Sequence, residues 1–308
     1  MNHGSVGGSV RSAAVALLLA TAALAHPGYL HEIDRLTGEI AAQPSRVDLY
    51  VKRAEYERRA LLFEEALADL DRAEALDAGI RAIRLERGLT LSALGSDAEA
   101  DAVLTAYLDN GPPCSVGLAE RGRVRERLGR HVDALRDYTR SLELEPDPDV
   151  ILLRGRLLER DGNLAAAASA YREGYERTRA VSIRREWLRV EVDRGNYRGA
   201  LALIDEEIAR RPFKADSLLD KAVILERAGL GDDARRARDQ AVEESTRAVA
   251  SRPTAIHLVS RARALAASGR MPEAIQDLET AVSKSPQFAA ALDLLAAYRS
   301  GGREEAKP

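Results

Sequence analysis

The feature that most limits what this chain can fold into is a repeat. Six times a glycine is followed, five residues later, by an alanine that opens an apolar run. The pairs are Gly95/Ala100, Gly129/Ala134, Gly162/Ala167, Gly195/Ala200, Gly229/Ala234 and Gly269/Ala274. An earlier copy has Leu61 at the glycine position and keeps Phe63, Glu64, Glu65 and Ala66. The seven alanines lie 34, 34, 33, 33, 34 and 40 residues apart. A fixed period of this length means stacked supersecondary units, each burying its apolar face on the next. It also explains how a chain of 308 residues can do without a single large core. Composition makes the units helical. Hydrophobic residues are 45% of the chain but aromatic ones only 4%, with Ala, Leu, Arg and Glu prevailing. Those residues lose least on entering a helix, and the β-branched and aromatic runs of strands are missing.

Other positions recur in the same register. Twelve residues before the alanine stands a small residue in six of the seven copies: Ala54, Gly88, Gly122, Gly155, Ala222 and Ala262, with Leu188 the exception. Twelve residues after it, proline closes the unit at Pro112, Pro146, Pro212 and Pro286. Two small residues face to face let a pair of helices cross closely. The glycine ends the first helix in a left-handed cap, and the proline stops the second.

Over roughly residues 45–286 this pattern resembles the tetratricopeptide repeat, most closely in Leu118-Ala119-Glu120-Arg121-Gly122, Leu128-Gly129-Arg130 and Asp133-Ala134-Leu135. The resemblance implies an all-α, right-handed α-solenoid of seven helix-turn-helix units with helical half-repeats at both ends. The expected units are 47–80, 81–114, 115–147, 148–180, 181–214, 215–253 and 254–286. A capping helix is expected within 26–46, another within 287–300, and a disordered tail over 301–308. The sixth copy carries six extra residues, which should lengthen its second helix through Glu243–Ala250. Trp187-Leu188 in the fifth copy should splay that pair.

Residues 1–25 read as a secretory signal peptide. Arg11 is the only charge in the first 30 residues, Ala13–Leu24 is apolar, and Ala23-Leu24-Ala25 makes a small-x-small cleavage site. The apolar run falls short of the about 20 residues that span a bilayer, and no cysteine follows the site to carry a lipid. A periplasmic or secreted bacterial protein with no membrane anchor after cleavage is the expectation. The net charge is −3, from 46 basic and 49 acidic residues that interleave, so no global field attracts nucleic acid. Cys114, the single cysteine, excludes an internal disulfide and reads as an incidental thiol in the Gly111–Pro112–Pro113 turn.

In the resembled family the first helix of each unit lines a concave groove that receives partners. Counted from a helix start nineteen residues before each alanine, one groove position holds Arg123, Arg156, Arg189 and Arg263. Three residues on stand Glu126, Glu159, Val192 and Ala266, so Arg123 and Arg156 can pair within their helices while Arg189 and Arg263 lack that partner. Arginine makes bidentate contacts with carboxylates, so these positions suit an acidic segment of a partner protein or peptide. A second row, Arg53, Arg87, Arg121, Arg154, Lys221 and Arg261, reads as structural. Three of its members have an aspartate sixteen residues on, at Asp69, Asp137 and Asp277. Some relatives grip a C-terminal carboxylate with Lys and Asn on the first helices. Glu55, Leu89 and Arg123 occupy the asparagine position here, which speaks against that mode.

Enzyme signals are missing: no Gly-rich phosphate loop, no His-Glu-x-x-His, no Gly-x-Ser-x-Gly. No cofactor is implied. The expected function is an exported scaffold holding a partner protein or peptide in its groove. An accessory subunit of an envelope or secreted enzyme complex, docking through convex or terminal faces, is the alternative. A further alternative is copper binding by His26, whose α-amine cleavage would expose, together with His31.

Overall fold

The structure is a computed structural model and describes residues 27–301. The readings of residues 1–25 as a signal, of His26 as a copper ligand and of 302–308 as a tail lie outside the described residues. Sixteen helices and no strand are found among those described. They are α1 (Pro27–Ala42), α2 (Val47–Arg59), α3 (Phe63–Leu76), α4 (Arg81–Leu94), α5 (Asp97–Asp109), α6 (Ser115–Arg127), α7 (His131–Leu144) and α8 (Pro148–Arg160). Then follow α9 (Leu164–Thr178), α10 (Val181–Asp193), α11 (Tyr197–Arg210), α12 (Ala215–Arg227), α13 (Gly231–Ser251), α14 (Ala255–Ala267), α15 (Met271–Lys284) and α16 (Ala289–Arg299).

Even-numbered helices α2 to α14 are the first (A) helices of the repeats, and the odd-numbered ones that follow are the second (B) helices. Every A helix begins nineteen residues before its signature alanine. All seven alanines are fully buried where A and B cross. The crossing leaves little room: a Cβ on Gly122 would stand 2.6 Å from the Tyr138 ring, and one on Gly88 2.6 Å from Leu104.

The A-to-B turn is a Schellman cap. At Gly95 (φ +86°) the glycine N–H donates to Ser92 O and the next N–H, of Ser96, donates to Leu91 O at 2.9 Å. The same left-handed residue recurs at Gly129, Gly162, Gly195, Gly229 and Gly269. In the first repeat Leu61 takes it, at φ +63°, and Leu62 N–H still donates to Glu57 O. Tertiary packing there overrides the steric cost of a left-handed leucine. The fourth repeat lacks the closing proline and ends α9 with Arg179 at φ +55°.

The chain divides into two compact units, one up to Leu157 and one from Leu158. In the first, α1 packs on α2 as a preceding B helix would, through Leu36 and Ile40. In the second, α16 closes the end through Ala291, Leu295 and Tyr298. Within each unit neighbouring A helices touch one another more than B helices do, so the A face is the inside of the bend. The long helix of the sixth repeat is α13, at 21 residues. The α10–α11 pair of the fifth repeat is the loosest A–B pair within either unit, as Leu188 implies. Arg184 bridges it, reaching Glu207 at 2.7 Å and the Leu203 carbonyl.

Candidate functional site

The structural row behaves as its spacing implies. Arg53 grips Asp69 through two bonds of 2.5 and 2.7 Å, Arg121 grips Asp137 at 2.9 and 2.7 Å, and Arg261 grips Asp277 at 2.6 Å twice. Each pair joins the A and B helices of one repeat with little access to water, and bidentate geometry makes it a specific link. In two of the three repeats that keep the base but lack the aspartate, the base turns to the preceding B helix: Arg87 to Asp71 and Lys221 to Asp205, both at 2.7 Å. Trp187 replaces the base in the fifth repeat. Its ring packs on Tyr175 at 6.3 Å and its indole N–H donates to Glu191.

The groove arginines require a correction. Arg189 has no acid three residues on, yet it is not unpaired. It contacts Glu159 at 2.6 Å, Glu186 at 2.8 Å and Asp193 at 2.9 Å. Those carboxylates hold its pKa above that of an ordinary guanidinium, against the opposing effect of burial. Arg263 reaches Asp216 at 3.2 Å on the neighbouring A helix. Arg123 pairs with Glu120 at 2.8 Å rather than with Glu126. Arg156 is exposed on α8 at the end of the first unit, while Glu159 opens the second.

Glu126 and Glu159 serve the fold. Each accepts a hydrogen bond from a buried tyrosine on its own B helix, Tyr138 at 2.8 Å and Tyr171 at 2.7 Å. Burial and the adjacent carboxylate push both phenols well above their usual range. Arg238 approaches Glu226 from the same register at 2.6 Å. These contacts share one rule: the acid stands eight residues before the signature alanine and its donor four residues after. Repeats with Arg58, Ser92, Val192 or Ala266 at the first position carry Leu70, Leu104, Ile204 or Leu278 at the second. Comparing those two columns would have found the pairing from the sequence.

A third column lies fourteen residues before the alanine and holds Glu86, Glu120, Glu186 and Asp220. Glu86 accepts from Arg58 at 2.5 Å, Glu120 from Ser92 and Arg123, and Glu186 from Arg189. Asp220 accepts no hydrogen bond and forms no ion pair among the described residues. It lines a cavity of about 640 Å³ on the A face of the second unit, with Leu219, Val223, Arg263, Met271 and Tyr298. Asp220 is exposed, and the partial desolvation it meets against the concave wall raises its pKa, with Arg263 opposing. Reading the arginines alone missed this residue.

Cys114 caps α6, its sulfur accepting from Gly117 N–H at 3.5 Å. Among the described residues no group of three His, Cys, Asp or Glu side chains could hold a metal, and no helix is long and apolar enough to cross a membrane.

A family model for the tetratricopeptide repeat matches residues 120–180, 186–246 and 238–289, together more than half of the chain. The chain belongs to the tetratricopeptide repeat family. Tetratricopeptide repeats mediate protein–protein interactions, and the fold is typically a non-catalytic scaffold. A solved tetratricopeptide repeat protein from Parabacteroides merdae is similar at 20% identity and a TM-score of 0.46, covering 82% of this chain and 98% of that one. The C-terminal part of a repeat-containing protein from Cytophaga hutchinsonii is similar at 14% identity and a TM-score of 0.55, covering 79% and 98%. The latter likeness supports the same helix-pair fold. No curated protein matches this tetratricopeptide repeat chain in sequence.

Proposed function

We propose that this protein is an exported scaffold that holds a segment of a partner protein against the A helices of its second unit. The observation that carries the reading is the cavity between α12 and α14, where Val223 is 39% exposed beside Leu219 and Met271. Exposed apolar side chains in a concave site favour a ligand that brings apolar surface of its own. An acidic segment loses its rationale. It would have to displace Glu159, Glu186 and Asp193 from Arg189, or Asp216 from Arg263, and so gain little. Export is supported by the pattern of residues 1–25 and is tested by sequencing the N-terminus of the protein from the extracellular and periplasmic fractions. A start at His26 is expected, and an intact Met1 refutes export.

Groove docking is tested by comparing Ala267→Trp, which fills the cavity mouth, with Val132→Glu on B helix α7, where Val132 is 73% exposed. Partner capture should fall at least tenfold in the first variant and stay unchanged in the second. The opposite result moves the interface to the outer face, as an accessory subunit would use it.

A further inference from the structure

We propose that the partner segment seated in this cavity carries a lysine or arginine beside an apolar side chain, and that Asp220 receives the cation while the apolar group fills the space against Val223 and Met271. The inference rests on the groove reading above and gives the ligand its chemistry.

Its basis is the donor arrangement around the A-helix carboxylates. A donor reaches this column from one of two places. One is the residue eight before the alanine of the preceding repeat, as Arg58 serves Glu86 and Ser92 serves Glu120. The other is the residue three further along the same helix, as Arg123 serves Glu120 and Arg189 serves Glu186. Around Asp220 both places hold valine, Val192 and Val223. The chain therefore completes Glu86, Glu120 and Glu186 internally and leaves Asp220 without a donor.

The nearby cations compensate only in part, and Arg211 is itself held by Glu207 at 2.9 Å. Arg238 is held by Glu226 through two bonds, of 2.6 and 2.7 Å, and Arg263 is turned to Asp216. A carboxylate on a concave wall that partly desolvates it, with no donor from the chain, is stabilised by an incoming cation. Val223, with Leu219 and Met271 in the same lining, keeps the approach apolar, which suits the stem of a lysine or arginine lying along it. A glutamate or aspartate ligand meets Asp220 as a like charge. A wholly neutral apolar ligand leaves Asp220 sealed away from water. Both are disfavoured by the same residue.

The test pans a random peptide library, displayed on phage, against the full mature chain and against Asp220→Asn and Ala267→Trp. Selected peptides are then made with each lysine or arginine changed to glutamine, and titrated by calorimetry. The expected consensus pairs a basic residue with Leu, Ile, Met or Phe. Changing the basic residue to glutamine should weaken binding at least tenfold, and Asp220→Asn should erase that difference while leaving the glutamine peptide's affinity unchanged. Acidic or charge-free consensus peptides, still blocked by Ala267→Trp, overturn the inference and keep the groove reading. Peptides insensitive to Ala267→Trp, or no enrichment at all, overturn both.

Discussion

The first and third repeats share one internal link and surround it with opposite charge. In the third, Asp137 accepts from Arg121 and also from Arg125 at 2.8 Å, so two guanidinium groups balance a carboxylate that is 2% exposed. In the first, Asp69 accepts from Arg53, and the position matching Arg125 is Glu57. That second carboxylate stands 3.6 Å from Arg53 and has a buried oxygen with no partner. Burial and the charge of Asp69 push Glu57 up to about 7, against the opposing pull of Arg53. The same register thus builds a charge-saturated joint in one repeat and a strained one in another. The first repeat also holds Leu61 in the left-handed cap that Gly129 provides in the third.

The largest effect should come from breaking the saturated joint. Asp137→Ala leaves Arg121 without a carboxylate and Arg125 with Asp101 alone, both with little water, and should cost about 3–5 kcal/mol in urea unfolding. Asp69→Ala should cost less, because it also removes the charge that repels Glu57. Equal costs for the two would erase the contrast.

Next in size is the pH response of the first repeat. The folded pKa of Glu57 is raised above its unfolded value, so its contribution is fully present below about pH 4.5 and is lost as pH rises towards about 7. Glu57→Gln abolishes that loss. Between pH 4 and pH 8 the variant should therefore gain on the parent by on the order of 2–3 kcal/mol. Parallel stability curves for the two proteins would show that Glu57 is not desolvated.

A smaller effect separates the crossings. Ala54 faces its B helix in the first repeat, whereas Gly122 in the third lies against the Tyr138 ring. Gly122→Ala should cost about 1–2 kcal/mol, because Tyr138 is tied to Glu126 and cannot swing away. Adding Tyr138→Leu should make the alanine less costly, which a double-mutant cycle reads directly. Smallest is Leu61→Gly, which should raise stability by about 0.5–1 kcal/mol. Leu61 is 52% exposed and forfeits little burial. A loss there would mean that the leucine makes contacts outweighing its backbone cost.

Much of this molecule was legible before any coordinate. The Arg53–Asp69, Arg121–Asp137 and Arg261–Asp277 links follow from a spacing of sixteen, because both partners belong to one helix pair whose crossing the repeat holds constant. The pairing of Arg189 was not legible in the same way. One of its three acids, Glu159, lies thirty residues away on the preceding A helix, so the missing acid three residues on was a misleading sign. Asp220 went unnoticed because one more acid among 49 carries no mark of its own. Its character lies in the two valines that occupy the donor positions.

By itself the sequence determined the helices, their caps and the repeat register. These depend on local conformational preferences and on which face of each helix is apolar, and both are written into the spacing of glycine, alanine and proline. The tertiary structure alone decided which charges are satisfied between neighbouring repeats. Partner choice across helices depends on the rotation and stagger of neighbours, which a period of 33 or 34 residues does not encode.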